Sequence, residues 1–126
     1  MGLDMYANRV KKGLITEAVD FNIAENEETE QNIHYWRKHP NLHGWMESLY
    51  RKKVGQDENF NCVNVQLTEE DLVKLEKDIK EGNLPKTSGF FFGESDGTEI
   101  EDDLSFIRKA KMAIKDGYDV YYTSWC

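Results

Sequence analysis

Proline and cysteine are scarce, with two of each in 126 residues. Cys62 and Cys126 alone exclude a disulfide-dense scaffold, and no second cysteine stands near either to form a CxxC metal or redox pair. Free thiols in a reduced compartment are expected, with no disulfide between them. No stretch approaches the roughly 20 apolar residues of a membrane span. Asp4 and Asn8 interrupt any apolar run at the start, so no secretion signal is read there and a cytoplasmic setting is expected. Positive charge is also in deficit: 16 Lys and Arg against 24 Asp and Glu, a net charge of −8. Such a surface repels phosphate backbones, so non-specific nucleic-acid binding is not expected. P-loop, GxGxxG and GxSxG signatures are missing too, so no cofactor and no recognised catalytic machinery is called for.

What is present is a globular composition. Hydrophobic residues make up 39%, charged residues 32% and aromatic residues 12%, which is enough to build a core. The length fits one domain over residues 1–126, which buries its own core without a metal or disulfide.

Periodicity sets the expected elements. Leu3, Met5 and Ala7 alternate with Asp4, Tyr6 and Asn8, the period of a half-buried strand. The segment 14–23 carries β-branched and aromatic residues and is a candidate second strand. The acidic run 24–32 reads as a loop. Leu42, Trp45, Met46 and Leu49 fall on one helical face, and Pro40 suits the first turn of that helix. Tyr35 to Lys38 then lead into it, extended or turning. Val63, Val65 and Leu67 alternate as a strand over 62–67. Thr68 and Asp71 signal an N-cap, Leu72, Leu75 and Ile79 form a stripe, and Gly82 ends the helix. Phe90, Phe91 and Phe92 fit a short strand near 88–93. A third helix is expected from about Glu101 to Lys115, with Leu104, Ile107, Ala110, Met112, Ala113 and Ile114 inward and its first acids at the positive end of the helix dipole. A last strand spans 118–125. The sum is an α+β domain: about three helices packed on a mostly antiparallel sheet.

Four constellations carry possible chemistry. His34, His39 and His43 stand in the pattern H-x4-H-x3-H, a possible metal set. Without HExxH or a cysteine pair, the preferred reading of His43 is a half-buried histidine hydrogen-bonded to sheet or loop. Cys62 and His43 would make a thiolate–imidazole pair only in an accessible, positive site, so Cys62 reads as structural. The acids Glu94, Asp96, Glu99, Glu101, Asp102 and Asp103 lack EF-hand spacing and read as a solvated face. The fourth constellation joins Trp36, Arg37, His43, Ser88, Tyr122 and Trp125, with Lys38 and Ser124 beside them. It combines rings for stacking with an arginine fork for a carboxylate or phosphate. These six are the expected ligand-binding residues of one concavity. The competing reading puts the tryptophans in the core and Arg37 on a surface acid.

Four segments also resemble a family of small, mostly uncharacterised bacteriophage proteins. They are "MGLDMY" at residues 1–6, "YWRKHPNLHGWM", "LPKTSGFFFGES" and the closing "YYTSW". The order is the family's own. His39-Pro40, Met46, Thr123 and Cys126 depart from its pattern. The resemblance implies a phage-type origin and the cytoplasm of a host cell, and implies no activity. Two functions remain as expectations. One is a non-catalytic binding protein acting on a host protein or a small anionic ligand. The other is a small enzyme acting on a nucleotide-like substrate, with His43 as acid/base.

Overall fold

The computed structural model describes residues 4–13, 15, 17–19, 31–37, 39–53, 55, 63–84 and 100–125. Among these residues seven elements follow in chain order: β1 (Asp4–Lys11), β2 (Gln31–Arg37), α1 (Pro40–Lys52), β3 (Val65–Leu67), α2 (Glu69–Lys80), α3 (Ile100–Lys115) and β4 (Tyr118–Trp125). The strands form one sheet in the order β2-β1-β4-β3, with every neighbouring pair antiparallel. The expected α+β class holds.

Met5, Ala7, Trp36, Val65, Leu67, Val120 and Tyr122 project from one face of the sheet into a single core. The helices cover that face. α1 contributes Leu42, Trp45, Met46 and Tyr50, α2 contributes Leu72, Leu75 and Ile79, and α3 contributes Phe106, Ile107, Ala110 and Ala113. The other face carries a smaller cluster of Val10 and Tyr121, with Ile15 against it.

Several local expectations are corrected. β2 takes in Gln31 and Asn32, which the acidic-loop reading had claimed, and it runs on through Tyr35 to Arg37. Segment 14–23 contributes, among its described residues, one isolated bridge from Val19 to Val65 rather than a strand. β3 is confined to three residues. Met112, expected inward, is 57% exposed, while Phe106 takes the core position. The buried positions of α3 are Asp103, Phe106, Ile107, Ala110 and Ala113, spaced by three and four, and Met112 lies off that stripe. The strand expected near 88–93 lies outside the described residues, as does Cys62.

The pairing of β1 with β2 slips between Ala7 and Asn8: Ala7 faces His34, Asn8 faces Asn32, and Ile33 is the extra residue of a bulge. Asn32 turns to the outer face, where its amide donates to Asn8 Oδ1 at 3.0 Å. Ile33 and His34 both meet the helix layer, Ile33 against the core and His34 against the Trp36 and Phe106 rings. That bulge aims two consecutive side chains at α3.

Candidate functional site

The N-terminal half of α3 meets β2 through carboxylates. Asp103 is 1% exposed on the apolar stripe of the helix. A buried carboxylate needs donors, and it has two. Trp36 Nε1–H donates to Oδ1 at 2.9 Å, and His39 Nε2–H donates to Oδ2 at 2.8 Å. His39 is itself the residue before α1, so this one acid ties together β2, α1 and α3. Asp102 holds the neighbouring histidine: His34 Nε2–H donates to Asp102 Oδ2 at 2.9 Å. On the other side of that ring, Lys109 Nζ donates to His34 Nδ1 at 3.3 Å. An ammonium is a donor only, so Nδ1 acts as the acceptor and the imidazole in this arrangement is neutral. A similar pair stands between α1 and α2. Trp45 Nε1–H donates to Asp78 Oδ2 at 2.8 Å, and Lys74 Nζ donates to Oδ1 at 3.1 Å. Burial pushes the Asp78 carboxyl up, but the Trp45 and Lys74 hydrogen bonds and the Lys74 and Lys77 charges outweigh it and hold it below the usual carboxylate range.

The six residues expected to line one concavity are placed as follows. His43 and Tyr122 come together, Nδ1 and Oη sharing a hydrogen bond of 2.7 Å in the core, with His43 2% exposed. Trp36 is buried on the same sheet face and bound to Asp103. Ser124, two residues beyond Tyr122, is buried, and its hydroxyl has no partner among the described residues. Arg37 follows Trp36 directly and projects from the opposite face of β2. Its side chain is 62% exposed, and its Nε stands 3.9 Å from Asp4 Oδ1. On that outer face Asp4 also accepts from Tyr35 Oη at 2.6 Å. That bond, with a smaller part from burial and the Asp4 charge, raises the Tyr35 pKa above its ordinary value. Trp125 pairs with Asp4 at the end of β4, and its side chain is outside the described set. Ser88 also lies outside the described residues. Among the described residues, no group of three or more His, Cys, Asp and Glu could hold a metal ion.

A different concavity opens between the sheet and α3. It has a volume of about 420 Å³ and is lined by Arg9, Ile33, Arg108, Lys109, Met112 and Ala113. Ile33, Met112 and Ala113 give it an apolar floor, and three cations surround them. Arg9 is held in place: its Nε and Nη2 both donate to Gln31 Oε1, at 3.1 and 2.5 Å, and its guanidinium lies 4.3 Å over the Tyr118 ring. Lys109 is braced by His34. No carboxylate is among the described lining residues. By contrast, the groove between α1 and α2, about 250 Å³, has Asp78 in its wall beside Lys52 and Lys74.

Neither feature is plain in the sequence alone. Asp102 and Asp103 read as solvated acids at a helix start. The legible signal was spacing, since Asp103 stands three, four and seven residues before Phe106, Ile107 and Ala110, on the buried stripe. The basic groove had no local signal, because Arg9 and Arg108 come from opposite ends of the chain.

No family model matches this chain, and neither curated proteins nor solved structures yield a match. Among the described residues, no helix is long and apolar enough to cross a membrane.

Proposed function

We propose that this chain is a non-catalytic binding protein that takes a small anion with an apolar body into the groove between β2 and α3. The observation that carries this reading is the charge arrangement. A protein of net charge −8 gathers Arg9, Arg108 and Lys109 around an apolar floor that no described carboxylate shares. The Arg108 fork is suited to a carboxylate or phosphate head group. Ile33, Met112 and Ala113 are suited to a hydrocarbon body, and the pliable Met112 thioether adapts to its shape. Acid/base catalysis at His43 is disfavoured, because that ring is buried and bonded to Tyr122. The exposed alternative, Arg37, stands beside its own acid. With the four phage-like segments, the setting we propose is the cytoplasm of an infected host cell.

Octanoate is the simplest probe, and calorimetric titration measures it. Binding at millimolar or tighter affinity is expected, weakened by ~1.5–3 kcal/mol in Arg108→Ala, the worth of a charge-assisted hydrogen bond. Octanol, with the tail but no charge, should bind far more weakly. Equal binding of octanoate and octanol, or an Arg108→Ala variant that binds as the parent does, would refute the anion site.

A further inference from the structure

His34 joins the groove to the carboxylate cluster, and it has two protonation states there with different consequences. Its neighbour along β2, Ile33, lines the groove, and so does Lys109, which donates to its Nδ1. Its Nε2–H is committed to Asp102. The ring is packed against Trp36, with centroids 4.5 Å apart, and against Phe106 at 5.7 Å, and its side chain is only 6% exposed.

We infer that His34 is a proton-coupled partner of the groove: binding of the anion draws Lys109 off Nδ1, and a proton takes the place of the ammonium. The inference rests on the groove being an anion site. A head group seated between Arg108 and Lys109 competes with Nδ1 for the Lys109 ammonium. An ammonium that turns to a carboxylate gains a charge-assisted bond in place of a neutral acceptor. Nδ1 is then a nearly buried acceptor without its donor, a costly state. Protonation cures it: Nδ1 becomes a donor, and the imidazolium keeps Asp102 as counter-ion. The incoming anion supplies further negative charge nearby.

The charges facing His34 set the sign. From α3 come Asp102 and Lys109. From β1, Arg9 adds a fixed positive charge to the groove that Lys109 also lines. His39, the residue before α1, is held by Asp103, which Trp36 also binds. Before binding, the Lys109 ammonium opposes a second positive charge on His34. After binding, the anion offsets that opposition. Anion and proton therefore strengthen one another, and by linkage the effect is reciprocal. Affinity rises as pH falls.

The test is calorimetric titration of octanoate at pH 7 in PIPES, HEPES and Tris, whose heats of ionisation differ. The octanoate carboxyl is already ionised there, so any proton exchanged belongs to the protein. Net proton uptake is expected for the parent chain and none for His34→Gln. Glutamine places an acceptor and a donor on one side chain, as neutral histidine does, so this variant should still bind. A parent chain that binds with no net uptake, or a His34→Gln variant with undiminished uptake, would overturn the inference and leave the groove reading intact. Absence of octanoate binding would overturn both. If His34→Gln does not fold, the His34 ring protons followed by NMR against pH decide the matter in the parent chain. Their midpoint should move upward with octanoate, and an unmoved midpoint would refute the coupling.

Discussion

Two tryptophans and two aspartates account for much of what individual residues do here. Trp36 and Trp45 each bury a large ring and send the indole N–H to a carboxylate on a facing helix, Asp103 and Asp78. An indole N–H in a core needs an acceptor, and an aspartate in a core needs donors, so each settles the other. Trp45 was legible as core because it shares a stripe with Leu42 and Met46. Its acceptor was not, because an Asp on a helix surface reads as solvated until the partner across the interface is known. Asp78 offers a pH test. Its carboxyl is held below its unfolded value, so its stabilisation is present above about pH 4 and lost as pH falls through the folded value. Asp78→Asn keeps the shape and removes the titration. In urea denaturation the stability gap between the parent and Asp78→Asn should be widest near neutral pH and narrow toward about pH 3. A gap that does not change with pH would contradict the assignment.

At the scale of elements, α2 was the most legible. Its N-cap is a capping box: Thr68 Oγ1 accepts from the Asp71 amide at 3.2 Å, and the Thr68 amide donates back to Asp71 Oδ2 at 2.9 Å. Its chain reverses at Gly82, where φ is +70°, a left-handed turn that favours glycine. Thr68→Ala should cost about 1 kcal/mol in chemical denaturation, and Thr68→Ser should restore most of it. No loss in Thr68→Ala would mean the cap is idle. β2 was the least legible element. Its inward residues include His34 and Trp36 rather than a run of β-branched aliphatics. Its alternation is also broken by the bulge at Ile33. The ring N–H groups of His34 and Trp36 find their acceptors in Asp102 and Asp103, which come from α3, far along the chain. The exit of α1 has a steric constraint of its own. A Cβ on Gly55 would come within 2.2 Å of the Tyr50 ring, so the chain turns back over that ring only with glycine there.

For the molecule as a whole, fold class followed from periodicity, since β1 and β4 read as strands and α1 to α3 as helices by period alone. The site did not. Net charge describes the surface as acidic, yet the fold sorts three of the 16 basic residues around one apolar floor. That sorting depends on the β2-β1-β4-β3 order and on α3 crossing the sheet, neither of which a single sequence displays. The groove is the central claim, and methyl NMR tests it most directly. Titrating octanoate into protein labelled at Ile and Met methyls should shift Ile33 and Met112 together, in a saturable way, while buried Met5, Met46 and Ile79 on other elements stay in place. Shifts concentrated at those buried methyls, or no saturable shift at Ile33 and Met112, would contradict it.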